Sequence, residues 1–182
     1  MSALTATERL TKEFGLHVGR SPDGWGSRLQ TIQFLPAPRE QVFAFFADAL
    51  QLETITPPWL HFAVLTPAPI VMSAGTLIDY RLRLHCIPLR WRTRINAWEP
   101  PSRFVDEQLR GPYRSWVHTH LFEEIDGGTL CHDLVDYTTP GGGMIDMLFV
   151  RSDLRKIFTY RRAELARRFG AEEREDRLAN RR

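Results

Sequence analysis

Residues 115–138, SWVHTHLFEEIDGGTLCHDLVDYT, contain two runs of alternating apolar and polar side chains separated by Asp-Gly-Gly. Alternation with a period of two is typical of a strand with one buried face, and Asp-Gly or Gly-Gly is typical of a two-residue hairpin turn. The stretch therefore predicts an antiparallel β-hairpin. The remaining elements can be placed around it.

The turn determines which side chains of the hairpin share a face. With a turn at Asp126-Gly127 or Gly127-Gly128, the numbers of paired residues sum to 253 or 255, and both registers give the same faces. The first face carries Trp116, His118, His120, Phe122, Cys131, Asp133, Val135 and Tyr137. The second carries Val117, Thr119, Leu121, His132, Leu134 and Asp136. Because burying the aromatic face removes more apolar area from water, at ~25 cal/mol per Å², we predict that the first face lies inside.

Other strands are predicted on both sides of the hairpin. The predicted strands are LQTIQFL (29–35), HFAVLT (61–66), TLIDYRLRL (76–84), LRWRTRINAWE (89–99) and FVDEQL (104–109). In 76–84 the alternation predicts Ile78, Tyr80, Leu82 and Leu84 on the inner face. In 89–99 it predicts Trp91, Thr93, Ile95 and Ala97 there. One or two short helices are predicted between the first two strands, over residues 40–56, after Pro36 and Pro38.

After the PGGG of residues 140–143 the apolar period becomes helical. Met147, Leu154, Phe158, Leu165 and Phe169 lie along one side of a predicted helix from about Met144 to Gly170, with arginines on much of the rest. The fold class is therefore α+β: an antiparallel sheet of about seven strands, two short helices after the first strand, and one long C-terminal helix across the sheet.

Composition and charge limit the organisation and the partners. At 182 residues with a hydrophobic fraction of 43%, the chain is the size of one domain, which we place at 28–170. Residues 1–27 are predicted to form a mobile or loosely docked arm with a short helix at Ala6–Phe14, and 171–182 a charged tail. The net charge of +2, without a basic stripe, predicts no nucleic acid partner.

The cysteines and the absence of a long apolar run indicate the compartment. Cys86 and Cys131 form neither a zinc pattern nor a disulfide framework, and no segment reaches the ~18 apolar residues of a spanning helix. We therefore expect a cytoplasmic protein.

From Leu29 to Phe169 the sequence resembles the helix-grip superfamily known as SRPBCC, which includes START lipid-transfer domains and polyketide cyclases. The most specific match is to bacterial SRPBCC domains of poorly defined function. The GPY turn at 111–113, the Trp-x-His-x-His-x-Phe strand and the Asp-Gly-Gly hairpin occur in the same order. The resemblance implies a curved sheet wrapped around the C-terminal helix and a deep, largely apolar cavity between them. It does not imply a single activity.

The sequence alone does not determine which face of strand 104–109 lies inside, Phe104, Asp106 and Gln108 or Val105, Glu107 and Leu109. The family pattern favours the first set. The predicted ligand-binding residues are then Tyr80, Trp91, Asp106, Gln108, Trp116, His118, His120, Phe122, Asp133 and Tyr137. Polar groups at such positions require partners, because an unmet buried donor or acceptor costs roughly 1 to 3 kcal/mol.

Four interpretations of His118, His120 and Asp133 remain open. They could fix the polar end of a mainly apolar ligand, or act as a His-Asp acid/base pair and so be catalytic. They could hold a metal ion, because imidazoles two residues apart on a strand point the same way, or only satisfy a core. We favour the first interpretation and expect neither a metal ion nor another cofactor.

The predicted function is therefore the binding, transport or sequestration of a hydrophobic or amphipathic small molecule such as a lipid or polyketide. The alternatives are a cyclase or dehydratase using the same cavity, and an accessory protein-interaction domain without a ligand. Arginines of the last helix, Arg151, Arg155, Arg161, Arg162, Arg167 and Arg168, could meet an anionic membrane. Such a set is more often a solvated face, and no membrane contact is expected.

Overall fold

The structure is a computed structural model that describes residues 15–171. Its strands are β1 (Leu16–Arg20), β2 (Ser27–Leu35), β3 (Ala63–Val64), β4 (Leu77–Leu84), β5 (Ile87–Glu99), β6 (Arg103–Arg110), β7 (Ser115–Ile125) and β8 (Gly128–Thr138). Its helices are α1 (Arg39–Ala47), α2 (Gln51–Thr54), α3 (Gly142–Ile145) and α4 (Arg151–Phe169). A 3-10 helix covers Pro58–Leu60, and a π-helical turn, Asp146–Val150, joins α3 to α4.

All strands belong to one curved antiparallel sheet with the spatial order β1-β2-β8-β7-β6-β5-β4-β3. Strands β3 to β8 are neighbours in chain order, and β2 pairs with β8 and with the edge strand β1. The long helix lies on the inner face, where Leu154, Phe158 and Leu165 are buried. The predicted α+β helix-grip fold is confirmed, with eight strands among residues 15–171 rather than about seven.

The hairpin of β7 and β8 has the predicted register. Trp116 pairs with Tyr137 and Ile125 with Gly128, so paired numbers sum to 253 and the turn is Asp126-Gly127. Gly127 has φ +79°, which a two-residue hairpin turn of this kind requires. All eight residues of the first face are buried, whereas Leu121 on the second is exposed, so the predicted inner face is confirmed.

Strand β6 presents Phe104 and Asp106 to the inner face, because they pair with His120 and His118 of β7. The face favoured by the family pattern is therefore confirmed. On β4, Ile78, Tyr80, Leu82 and Leu84 all line the interior, as predicted.

A β-bulge in β5 overturns the predicted inward position of Ala97. The pairing with β6 shifts between Ile95 and Ala97, so that Ala97 pairs with Val105 and Trp98 with Phe104. The extra residue reverses the alternation beyond Ile95. The Trp98 ring consequently packs on Phe43, with the ring centroids 5.2 Å apart.

The predicted apolar stripe of the C-terminal helix is wrong at Met147, which is 60% exposed. The π-helical turn at Asp146–Val150 adds a residue to the turn and shifts the face that follows. Asp146 is instead buried there, accepting hydrogen bonds from Ser27 Oγ (2.6 Å) and Arg151 Nε (2.7 Å). These bonds connect the start of α4 to β2.

Residues 15–27 of the predicted N-terminal arm are among the described residues. Leu16–Arg20 forms β1, which pairs with β2 as an additional edge strand and buries Val18. With one buried side chain in five residues, this strand carries little apolar pattern. The predicted helix at Ala6–Phe14 and the tail from residue 172 lie outside the described residues.

Candidate functional site

A cavity of about 220 Å³ lies between the inner face of the sheet and α4. Most of its wall is apolar, with side chains from β4 to β7 on one side and from α1, α2 and α4 on the other. Its aromatic lining includes Phe46, Phe62, Tyr80, Trp91, Trp116 and Phe158. Trp91 and Trp116 meet edge to face, with ring centroids 5.4 Å apart.

Four polar side chains form a cluster beside the cavity, and we call Asp106, His118, His120 and Asp133 the His-Asp cluster. Asp106 on β6 pairs directly with His118 on β7, and His120 pairs directly with Asp133 on β8. The other two neighbours are diagonal, which is close enough for long side chains to touch. Each imidazole therefore lies between two carboxylates, and the two rings are 3.8 Å apart at their centroids.

The distances within the His-Asp cluster define which atoms are bonded. His118 Nε2 lies 3.0 Å from Asp133 Oδ1 and His120 Nε2 3.3 Å from Asp106 Oδ2, and both are hydrogen bonds. His118 Nδ1 is 3.8 Å from Asp106 Oδ2. His120 Nδ1 approaches Asp133 Oδ1 to 2.8 Å, but not in a hydrogen-bonding orientation.

Burial and the neighbouring charges give the two histidines different proton affinities. Burial and the proximity of His120 lower the pKa of His118, against the effect of its hydrogen bond with Asp133. Burial also disfavours the charged form of His120, but Asp106 and Asp133 outweigh it and raise its pKa. The opposite shifts reflect a different balance between burial and carboxylate contacts at the two rings.

Arg161 on α4 brings a positive charge to the cavity wall. Its guanidinium carbon lies 5.4 Å from the Phe46 ring centroid and 5.8 Å from that of Phe158. Its Nε is buried without a hydrogen-bond partner. Burial alone would raise the pKa of Asp133, but Arg161 and the two histidines hold that pKa well below its usual range.

The sequence pattern missed Arg161, which it placed with the solvated arginines of the last helix. Arg161 stands three residues after Phe158 and four before Leu165, so it occupies the buried stripe of α4. An arginine at such a position was the signal available in the sequence.

The structure brings six of the ten predicted ligand-binding residues to the cavity wall. These six are Tyr80, Trp91, Asp106, Trp116, His118 and His120. The other four, Gln108, Phe122, Asp133 and Tyr137, are not part of the lining.

Each of these four has other contacts. Gln108 Nε2 donates to the backbone oxygen of Tyr113 at 2.8 Å, which holds the GPY turn. Phe122 packs in a buried cluster with Phe43, and Tyr137 in one with Leu154. Asp133 touches both histidines from the strand beyond them.

The fold and the site together define a helix-grip domain with a largely apolar cavity between the sheet and α4. Residues 35–159 match the model of the family described as polyketide cyclase/dehydrase and lipid transport. The chain belongs to this family. No curated protein matches the chain.

Solved structures show the same fold. Protein Ms6760 from Mycobacterium smegmatis is 17% identical, with a TM-score of 0.62 over 86% of this chain and 98% of its own. A protein from Arthrobacter aurescens is 14% identical, with a TM-score of 0.65 over 83% of this chain and 91% of its own.

A third structure, the nucleoside-diphosphate sugar epimerase from Corynebacterium glutamicum, is 28% identical, with a TM-score of 0.55. That match covers 75% of this chain but 28% of the epimerase. The similarity is therefore limited to part of the larger protein.

Proposed function

We propose that the protein binds a compact amphipathic small molecule in the cavity between the sheet and α4. The observation that carries this proposal is a mainly apolar cavity with a group of polar side chains, Asp106, His118 and His120, together on its sheet side. This arrangement is typical of small-molecule sites, in which apolar walls hold the ligand and a few polar groups orient it. The family description, which includes lipid transport, supports the same conclusion.

The size and charge of the cavity restrict the ligand. Its volume of about 220 Å³ is below the roughly 300–1,000 Å³ of sites for drug-sized ligands, which favours a compact ring system or short chain over a two-chain lipid. The Asp106 carboxylate and the two imidazoles line the sheet side of the cavity, Arg161 lines the helix side, and Asp133 contacts both imidazoles. These groups include both donors and acceptors, which suits a hydroxyl or carbonyl group on the ligand.

The cellular location is a prediction. Cys86 is exposed, Cys131 is buried, and both are free thiols, which supports a reducing compartment such as the cytoplasm. Within residues 15–171, no helix combines the length and apolar character needed to cross a membrane.

Filling the cavity from the helix side should abolish binding. Ile157 lines the cavity and is only partly buried, whereas the adjacent Lys156 is exposed and does not line it. We expect Ile157→Trp to remove the thermal shift that a matching ligand from a library of fatty acids, phenols and polyketide-like aromatics gives the wild type. A ligand present at a concentration of 100 times its dissociation constant stabilises the folded protein by about 2.7 kcal/mol.

The matched control is Lys156→Trp, which adds the same side chain one residue away and should retain the full shift. Circular dichroism would establish that both variants fold. Equal shifts for wild type and Ile157→Trp, or no shift from any compound with the wild type, would contradict binding in this cavity.

An enzyme of the cyclase or dehydratase type is the second candidate, favoured by the two imidazoles on the cavity wall that each bond a carboxylate. Such pairs can act as general acid and base on a bound ligand. Under this alternative, His118→Ala and His120→Ala should abolish turnover of the bound compound, followed by mass spectrometry, while leaving its affinity within about tenfold. Equal loss of turnover and affinity would indicate binding alone.

A further inference from the structure

Asp106, His118 and His120 are arranged as a set of metal ligands. One ligand atom from each side chain lies within 4.8 Å of the other two. Both histidines are buried, Asp106 is partly buried, and all three line the cavity. Within residues 15–171, no other three His, Cys, Asp or Glu side chains meet in this way.

Two of the separations between ligand atoms fit a transition-metal ion. Asp106 Oδ2 lies 3.3 Å from His120 Nε2 and 3.8 Å from His118 Nδ1. With metal–ligand bonds of about 2.1 Å, such separations correspond to bond angles of about 100° and 130°. Those angles suit a tetrahedral or five-coordinate ion, and two imidazoles with one carboxylate suit divalent zinc, iron and related ions.

Asp133 occupies the place of the supporting carboxylate in such a site. Its Oδ1 lies 3.0 Å from His118 Nε2 and 2.8 Å from His120 Nδ1. These are the second nitrogens of the two rings, because His118 Nδ1 and His120 Nε2 face Asp106 and would bind the ion. Metal-binding histidines commonly donate their second N–H to a carboxylate, which fixes the tautomer and the ring orientation. The absence of a hydrogen bond at His120 Nδ1 would then be resolved by a small ring rotation when Nε2 binds the ion.

We propose that Asp106, His118 and His120 bind a divalent transition-metal ion, with Asp133 as the residue that positions both imidazoles. This differs from the metal site considered from the sequence, in which Asp133 itself was the third ligand. Three protein ligands leave at least one coordination position open, and these three side chains line the cavity. The polar end of a ligand could therefore reach the ion directly.

Titration of chelator-stripped, untagged protein with Zn²⁺ and Co²⁺ tests this inference. We expect one equivalent of Zn²⁺ by calorimetry, a visible Co²⁺ absorption of a four- or five-coordinate site, and a higher Tm with either ion. Loss of a residue that supports the metal ligands typically weakens the metal affinity of a protein by about 10–100-fold. Asp106→Asn removes a direct ligand, so we expect it to weaken the metal affinity by more than about 100-fold.

His132→Ala is the matched control. His132 lies on the outer face of β8, 3.6 Å from Glu123, and its removal should leave the metal affinity unchanged. Asp106→Asn preserves the shape of the side chain, and circular dichroism of the metal-free variant would establish its fold. No stoichiometric binding by the wild type, or binding that Asp106→Asn retains, would overturn the inference.

The same titration separates this inference from the proposed function. The ion is added without an organic ligand, whereas the thermal-shift comparison of Ile157→Trp and Lys156→Trp is performed with EDTA present. Small-molecule binding without metal binding would overturn only the metal site. Metal binding without a small molecule would contradict only the proposed function.

Discussion

Asp133→Ala is expected to lower the free energy of unfolding by about 3 to 5 kcal/mol, measured by urea denaturation in EDTA. Its carboxylate is buried and contacts both His118 and His120. Removing it leaves a hydrogen-bonding nitrogen of His118 without its partner and the nearby Arg161 charge without its compensation. Loss of one member of a buried charged cluster is costly because the others remain desolvated.

Asp136→Ala is the control for Asp133→Ala on the same strand. Asp136 faces outward and pairs with Arg28 at 2.6 Å, with 41% of its side chain exposed. Exposed ion pairs contribute about 0 to 1 kcal/mol, so this variant should unfold within about 1 kcal/mol of the wild type. Equal losses in the two variants would contradict the described network around Asp133.

Phe158→Ala is also expected to lower the free energy of unfolding by about 3 to 5 kcal/mol. Phe158 is buried on α4, packs in the cluster of Leu29, Trp116 and Val135, and lies 5.9 Å from the His118 ring centroid. Its removal would enlarge the cavity and weaken the attachment of the helix to the sheet. Urea denaturation would measure the loss in the free energy of unfolding. In the thermal-shift screen of fatty acids, phenols and polyketide-like aromatics, the variant should prefer larger ligands than the wild type.

Phe149→Ala is the matched control for Phe158→Ala. Phe149 stands in the π-helical turn and is 57% exposed. Substitutions at such surface positions usually change stability by less than about 0.5 kcal/mol. A loss at Phe149 as large as that at Phe158 would contradict the packing of α4 against the sheet.

The hairpin could be predicted from the sequence because two constraints act together. The Asp-Gly-Gly turn limits the register, and the period of two then assigns every side chain of β7 and β8 to a face. Burial of Trp116, His118, His120 and Phe122 follows from the larger apolar area of that face. The inner face of β6 required the family pattern, since the aliphatic and aromatic residues of 104–109 are divided between both faces.

The features that sequence patterns missed depend on local irregularity or on tertiary context. A bulge in β5 moves Trp98 rather than Ala97 inward, and the π-helical turn exposes Met147. Neither has a strong sequence signal, because each inserts one residue into an otherwise regular period. Arg161 was missed because charge usually indicates a solvated position, whereas here the guanidinium lies near the rings of Phe46 and Phe158 and lowers the pKa of Asp133.

Native mass spectrometry of gently purified protein tests the central claim most directly. If the cavity binds a compact amphipathic molecule, the wild type should carry a noncovalent adduct of one small organic molecule, identifiable after release. Ile157→Trp should carry none, and Lys156→Trp should carry the same adduct as the wild type. A wild-type spectrum with only the mass of the bare chain, or an identical adduct on Ile157→Trp, would contradict the claim.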